Sequence, residues 1–337
     1  MSSAFVLHGD TILCRQTNDG WWPYQVSLPA LDPPLYNTNA DSGAIKSSDH
    51  NQRYQIGRVT LLASLAPKHW INESKDNKLK VEQDQRLDAP ATFAITSDYA
   101  LAHHIAIPEV REANVISSAD SVGSQFSQFE FISYRQLIVV LPVAIADQLS
   151  QAIQLLRWQA DTQFCSRCSS PVDHAKLGER AMVCPACQLR QYPRVQPCII
   201  TAITRPNPTT GETQILLAQH HRHGQKIRPL QYGLLAGFVE VGESLEHAVV
   251  REVEEEVGIT LKDIRYVSSQ PWPFPSNLML GFRAAYSSGD IVWQESELSH
   301  AAFFDLSNLP KIPPKGSIAH ELIAQIIQEQ KDKKAGL

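Results

Sequence analysis

Apolar residues in the first half of the chain fall in short runs, Ile56 to Leu65 and Phe93 to Thr96, separated by polar stretches rich in proline and asparagine. They predict strands of an irregular mixed domain. Between Leu31 and Arg53 neither a two-residue nor a helical period emerges, which predicts a long loop. The pattern changes at Ala144, where Ile145, Leu149, Ile153 and Leu156 recur at helical spacing and predict an amphipathic helix to about Trp158. Further on, Pro197 to Thr204, Gln214 to Ala218, Tyr232 to Ala236, Ile264 to Ser268, Leu278 to Tyr286 and Ala301 to Asp305 predict strands. Ser244 to Val257 and Ile318 to about Lys331 predict helices. Strands mixed with helices in this way suggest a sheet with helices on it, in an α/β or α+β arrangement.

Length sets the number of parts: 337 residues suit two domains, or three if one is a small metal-stabilised unit. With 43% hydrophobic and 19% charged residues, the chain can bury an ordinary core and has no disordered or collagenous character. A formal charge of -5 excludes a global basic field, so an anionic ligand needs a local site. Leu137 to Ala146, the longest apolar run, is about half of what spans a bilayer, and the first ten residues lack the basic and apolar segments of a secretory signal. No membrane association and a cytoplasmic location are the expectation.

Four of the six cysteines fall close together, as Cys165-x2-Cys168 and Cys184-x2-Cys187 with fifteen residues between the pairs. Each Cys-x-x-Cys turn points two sulfurs at one centre, and the intervening length allows a hairpin that sets the pairs opposite each other. The pattern predicts one tetrahedral Zn2+ per chain, structural because four thiolates leave no open position. Two disulfides or four buried thiols are the bland alternatives, disfavoured in a reducing compartment. Ser169 stands where glycine would more easily adopt the left-handed conformation such turns favour.

The candidate chemistry lies in Gly237 to Ile259. On a helix, Glu252, Glu255 and Glu256 fall within about 100° of one another beside an apolar stripe of Leu245, Val249, Val253 and Val257. Three carboxylates on one face repel unless cations sit among them, and hard oxygen ligands suit Mg2+ or Mn2+. Arg251 is placed to pair with Glu255 one turn on, whereas Glu254 points the opposite way, to solvent. A solvated acidic face is the competing reading.

These residues resemble the box of the Nudix hydrolases, Gly-x5-Glu-x7-Arg-Glu-U-x-Glu-Glu-x-Gly-U with U a bulky aliphatic. Gly237, Glu243, Arg251, Glu252, Val253, Glu255, Glu256, Gly258 and Ile259 meet it at every fixed position. The segment Ser269 to Pro275, Tyr192-Pro193-Arg194 and the stretch from Pro313 to Ala319 are similar to the NADH pyrophosphatase branch of that family, which also sets a four-cysteine zinc ribbon before the Nudix domain. The resemblance covers roughly Leu155 to Gln330. It implies a Nudix α/β/α sandwich over 193–331, preceded by a zinc ribbon over 161–192 and an N-terminal mixed domain over 1–160.

Carried over by position, it implies metal ligation by Glu252, Glu256, Glu297 and the carbonyl of Ala236, with Glu255 binding metal or deprotonating water. Phe238 and Tyr192 would sandwich adenine, Tyr192 coming from the other subunit of a homodimer. Glu179, the loop Gln270, Pro271, Trp272, Pro273, Phe274, Pro275, Ser276 and Asn277, and Ala319 would contact the dinucleotide, with Arg135 a fainter match. Asn277 replaces a usual Ser and His300 a usual Glu. The implied activity is metal-dependent hydrolysis of the diphosphate of NADH or NAD to nicotinamide mononucleotide and AMP, with NAD-capped RNA as a further substrate. ADP-ribose or dinucleoside polyphosphates are the rival substrates, and a zinc-ribbon nucleic-acid binder without catalysis is the rival of another class. A loop bearing His220, His221, Arg222, His223, Lys226 and Arg228 is either a solvated hairpin tip or a local positive region that receives a phosphate chain.

Overall fold

The computed structural model describes residues 2–18, 20–28, 57–61, 91, 93–110, 128–175, 179–221 and 231–336. The chain divides into two compact units, residues 1–194 and 195–337.

The first unit opens with four strands that periodicity does not announce: β1 (Ser2–His8), β2 (Thr11–Thr17), β3 (Gly20–Pro23) and β4 (Gln25–Leu28). Ala4, Phe5, Val6 and Leu7 are all buried, so β1 reads as a short apolar run and not as an alternation. Gly9, at φ 62°, occupies the two-residue turn that sets Leu7 opposite Ile12. β5 (Arg58–Thr60), β6 (Phe93–Thr96) and β7 (Phe129–Ser133) complete a seven-stranded sheet in which β1 and β6 run parallel. The expected strand from Ile56 to Leu65 is described only as β5, and the expected loop Leu31 to Arg53 lies outside the described residues.

Helix α1 (Ser97–Ala102) and the short α2 (Tyr134–Leu137) precede α3 (Val143–Asp161), which packs on β5 and β6. α3 buries Leu149, Ile153 and Leu156, as its spacing requires. Buried Gln159 is hydrogen-bonded on three sides. Its Oε1 accepts from Gly57 N at 2.7 Å, and its Nε2 lies 3.2 Å from the Arg58 carbonyl and 3.2 Å from His174 Nε2.

The unit ends in a small three-stranded sheet of β8 (Asp173–His174), β9 (Met182–Val183) and β10 (Arg190–Gln191). Its core is Cys165, Val172, Met182 and Cys184, with Trp158 from the end of α3 packed against it.

The second unit is a six-stranded sheet of β11 (Gln196–Pro206), β12 (Thr213–His220), β13 (Leu235–Phe238), β14 (Thr260–Trp272), β15 (Asn277–Ser288) and β16 (Leu298–Asp305). Its order is β14-β15-β11-β12-β16, with β13 paired to β11. β11 runs parallel to β15 and antiparallel to β12 and β13. Cys198 to Ile203 are buried without interruption, the mark of a strand covered on both faces. Ile200 and Ala202 join Ile215 and Leu217 against α5 (Ile318–Lys334), through Leu322, Ile323 and Ile326. Ile203, Leu216 and Ala218 face Val253 and Val257 of α4 (Leu245–Val257), and Ile199 faces Ala248 and Val249. This is the expected α/β/α sandwich.

α4 starts at Ser244, whose Oγ accepts from His247 N at 3.2 Å, and stops at Gly258, whose φ of 72° admits the left-handed cap. Each fully buried valine of its inner face contributes about 1.5–3 kcal/mol relative to exposure.

Two expectations shift. The strand near Tyr232 begins at Leu235. His220 does not belong to the loop: it is buried at the end of β12, which continues past a bulge to pair with Leu298 of β16. Residues 222–230, with the other cations of that loop except exposed His221, lie outside the described residues.

Candidate active site

The four thiols are built by two similar turns. Ser169 N donates to Cys165 O and Gln188 N to Cys184 O, both at 2.9 Å, and Ser169 and Gln188 each take φ 59°. Both knuckles thus meet the left-handed requirement without glycine. Arg167 N and Cys187 N each donate to a sulfur, of Cys165 and Cys184, at 3.4 Å. The closest sulfur pairs are Cys168–Cys184 at 3.4 Å, Cys165–Cys187 at 3.5 Å and Cys168–Cys187 at 3.6 Å, close to the ~3.8 Å edge of a tetrahedron with Zn–S bonds of ~2.3 Å. Hydrogen bonding with Ser170 pulls the Cys168 thiol down to about 6. The Leu189 N–H favours the Cys187 thiolate, yet burial and the neighbouring sulfurs push that thiol up to about 11. Four such groups fit a soft divalent cation. Among the described residues, they are the one set of three or more His, Cys, Asp or Glu whose ligand atoms all lie within 4.8 Å.

The glutamate face is organised by Arg251. Its Nε donates to Glu243 Oε1 at 2.8 Å, Nη2 to Glu243 Oε2 and the Phe238 carbonyl at 2.9 Å each, and Nη1 to Glu252 Oε1 and Glu255 Oε2 at 3.0 Å each. One guanidinium therefore ties the loop after β13 to the helix. Helical spacing predicts the Glu255 partner alone; Glu243, whose Oε2 also accepts from Glu240 N, is brought to Arg251 only by the folded loop. The Arg251 guanidinium pulls the Glu243 carboxyl down to about 2. Glu252 moves the other way, because burial raises it, Arg251 lowers it, and the charges of Glu255 and Glu297 raise it further. Its carboxylate lies against the backbone of Gly237, where a Cβ would fall 1.8 Å from Glu252 Cδ and 2.0 and 2.1 Å from its oxygens.

Glu256 is only 2% exposed, whereas the Glu255 side chain is 56% exposed. Glu254 is exposed as expected but does not stand apart. With Glu255, Glu243, His247, Val250 and Arg251 it lines an open hollow of about 600 Å³.

Glu297 arrives from the segment before β16, which is stitched to the end of α4. Val292 N donates to Val257 O at 3.0 Å, Gln294 N to Glu256 O at 2.9 Å, and Glu297 N to Gln294 O at 3.0 Å. His221 fastens the same turn twice, its backbone N donating to Glu297 O at 3.0 Å and its Nε2 to Glu295 O at 2.9 Å. Nothing in residue spacing announces this anchor.

The remaining site residues are spread over both units. Gln270 grips the start of α5: its Nε2 donates to Gly316 O at 2.7 Å and its Oε1 accepts from Ile318 N at 2.8 Å. Trp272 and Phe274 meet edge to face, 5.4 Å apart, in the hairpin of Pro271, Pro273, Pro275 and Ser276, and Ser276 Oγ contacts Gln196 Oε1. Asn277 is 8% exposed and Ala319 is buried in the first turn of α5. His300 Nδ1 lies 3.3 Å from the Tyr232 hydroxyl, with Trp293 beside its ring. Phe238, at the end of β13, is half exposed. Tyr192, Glu179 and Arg135 belong to the first unit. There the Tyr192 hydroxyl donates to Glu179 Oε1 at 2.8 Å, Arg190 pairs with Glu179, and Arg135 is exposed on α2.

Residues 201–326 match the NUDIX domain, and residues 160–192 match the NADH pyrophosphatase zinc ribbon domain. The chain carries a Nudix domain. Curated relatives include the NAD-capped RNA hydrolase NudC of Klebsiella pneumoniae (strain 342), 48% identical over 177 residues, which are 52% of this chain and 65% of that protein. The protein of the same name from Salmonella schwarzengrund is 47% identical over the same length and shares. The match thus spans somewhat under two thirds of these relatives. Among solved structures, a NUDIX hydrolase from Nitrosomonas europaea is 21% identical with a TM-score of 0.41, covering 52% of this chain and 93% of that one.

A Nudix domain implies a divalent metal at the glutamates, and the residues fit one. Glu252 is half-buried, pressed on Gly237 and pushed up by burial and by its acidic neighbours, and Glu256 is almost wholly buried. Carboxylate and carbonyl oxygens are hard donors, suited to a hard cation that offsets this crowding of negative charge. The ribbon's four sulfurs suit zinc in a closed, structural site.

Proposed function

We propose that this chain hydrolyses the diphosphate of NADH and NAD to nicotinamide mononucleotide and AMP, and removes the same group from the 5′ end of NAD-capped RNA. The observation that carries the reading is the complete Nudix box, its Glu243, Glu252 and Glu255 tied by Arg251 and its Glu252 set against Gly237, in a chain whose ribbon matches the NADH pyrophosphatase type. The name of the curated relatives supports the capped-RNA part.

Glu252, Glu255, Glu256, Glu297 and the carbonyl of Ala236 would hold Mg2+ or Mn2+. Bound there, the cation supplies neutralisation of the phosphate oxygens and of the departing phosphate. Arg251 orients Glu252 and Glu255, its Nη1 donating to an oxygen of each. Glu255, the most exposed of the carboxylates Arg251 holds, is placed to take the proton from the attacking water. Glu256 and Glu297 are linked through the backbone, since Glu256 O accepts from Gln294 N in the turn that carries Glu297.

Phe238 and Tyr192 would sandwich adenine, Tyr192 reaching in from the second subunit of a homodimer. Its 55% exposure is what a residue that completes a neighbour's site requires. Glu179 would orient Tyr192 through their hydrogen bond. The loop from Gln270 to Asn277, with Ala319 and Arg135, would contact the rest of the dinucleotide. Gln270 acts there by fixing the start of α5 beneath Ala319. The parts are an N-terminal mixed domain over 1–160, the ribbon over 161–192 and the catalytic domain over 193–331. Four thiols kept for a metal suit a reducing compartment, in keeping with a cytoplasmic location, and no helix among the described residues is long and apolar enough to cross a membrane.

Steady-state kinetics on NADH, NAD, an unstructured NAD-capped RNA, ADP-ribose and a dinucleoside polyphosphate, with Mg2+ and with Mn2+, test the proposal. Nicotinamide mononucleotide should appear with AMP or with 5′-monophosphate RNA, with NADH and NAD ahead of ADP-ribose in kcat/KM. The opposite order would replace the substrate, and turnover of none would leave a binding protein.

A further inference from the structure

Next to Tyr192, the ribbon presents exposed side chains to which hydrolysis of a free dinucleotide gives no role. Phe164 is 62% exposed, yet its segment is held rigidly: Gln191 Nε2 donates to the Phe164 carbonyl at 3.3 Å and Ser166 N donates to Gln191 Oε1 at 2.6 Å. This clamp sets the first knuckle, bearing Phe164 and Arg167, beside the strand that carries Arg190 and leads on to Tyr192 and Arg194. Arg167 and Arg194 are exposed, and neither takes part in an ion pair among the described residues. Residues 161–194 contain five arginines or lysines against three acidic groups, a local positive balance in a chain of charge -5. One of the three acids, Glu179, is already engaged by Arg190 and Tyr192.

A single exposed aromatic residue is ordinary. An exposed ring on a rigid support, with Arg167 on its own knuckle and Arg194 three residues beyond the Gln191 that clamps it, neither in an ion pair among the described residues, is different, because bases stack on such rings while the charges follow the phosphates.

We propose that this face of the zinc ribbon binds single-stranded RNA, with a base stacked on Phe164 and backbone phosphates paired with Arg167 and Arg194. The inference rests on the capped-RNA part of the proposed function and extends it. A free dinucleotide has no chain to lay on such a surface, whereas a capped transcript continues from it. The ring reads no sequence, so preference among bases is weak.

Fluorescence anisotropy with a labelled, unstructured 5′-monophosphate RNA of ten nucleotides, measured on the full zinc-loaded chain across a salt series, tests it. Phe164→Ala should weaken binding about 5- to 30-fold and Phe164→Tyr should restore it. Arg167→Glu should weaken binding and reduce the slope of log affinity against log salt by about 1. All three variants should keep zinc content and the kcat/KM for NADH of the unmodified chain, and the first and last should raise the KM for NAD-capped RNA. Absence of RNA binding by the unmodified chain, or equal affinity in the variants, overturns the proposal. So does a fall in particle mass on Phe164→Ala by light scattering, which assigns the face to self-association. RNA binding that responds as expected while capped RNA is not cleaved sustains the surface and removes the capped-RNA reading alone.

Discussion

Gly237→Ala tests the central geometry with one methyl group. Gly237 lies on β13 opposite Ile199 of β11, and its missing side chain is the space in which the Glu252 carboxylate sits. An added Cβ would lie 1.8 Å from Glu252 Cδ. Non-bonded carbons rest at about 3.5–4.0 Å, so the carboxylate has to retreat by roughly 2 Å. The moving atoms are the far end of a flexible side chain, which makes the shift inexpensive for the fold. Alanine also lowers the entropy of the unfolded chain by the equivalent of about 0.4–1 kcal/mol, so stability should change by less than about 1 kcal/mol in either direction.

Catalysis has no such tolerance, since misplacing a catalytic group by ~1 Å costs on the order of 100-fold. The expected loss in kcat is therefore at least about 100-fold, equivalent to about 2.7 kcal/mol of barrier, at near-unchanged melting temperature. Initial rates on NADH and thermal denaturation of the same preparation measure both. The double variant Gly237→Ala/Glu252→Gln isolates the cause. If the methyl acts only by displacing Glu252, the pair should be no slower than the slower single variant. Retention of at least a third of the original kcat in Gly237→Ala would refute the role assigned to this contact.

Other predictions follow from the same arrangement. Glu255→Gln and Glu256→Gln should each lower turnover at least ~100-fold with the fold intact, whereas Glu254→Gln, whose carboxylate borders the hollow without a bond to Arg251, should do little; equal losses from all three would show that the face is misassigned. Metal analysis after dialysis should find one zinc per chain. Cys184→Ser should lose it and red-shift tryptophan emission, because Trp158 packs against the core formed by Cys165, Val172, Met182 and Cys184; folded, active protein without zinc would contradict a structural role. Tyr192→Ala should raise KM more than it lowers kcat, since stacking is uniform binding worth about 1–3 kcal/mol. Mixed with Glu256→Gln under subunit exchange, it should regain partial activity, because one site of the mixed dimer is whole; no recovery despite exchange, or a monomer by light scattering, would remove the shared site.

The second unit was legible in sequence because its signals are local. Ser244 and Gly258 bound α4 by capping chemistry, and Val249, Val253 and Val257 mark its inner face by their spacing alone. The cysteine pairs likewise specify their own turns, and Ser169 shows that φ near 59° is reached without glycine when the knuckle's hydrogen bonds demand it. The four N-terminal strands left no such mark. β1 carries its apolar residues, Ala4 to Leu7, as one unbroken run and each of its successors is seven residues or shorter, so a two-residue period has no length in which to appear.

Anchors of the active site were illegible for a related reason. Arg251 meets Glu255 one helical turn away, a relation written in the spacing. It meets Glu243 and the Phe238 carbonyl only after the loop has closed on the helix, and His221 reaches the Glu295–Glu297 turn across more than seventy residues. A helix face predicts which carboxylates point together, but the position each one holds depends on partners supplied by the sheet. In this domain those partners are a backbone carbonyl, a glycine without a side chain and a histidine at a strand end. None of them differs in type from residues elsewhere in the chain that take no part in the site, so it is the folded sheet that selects these three.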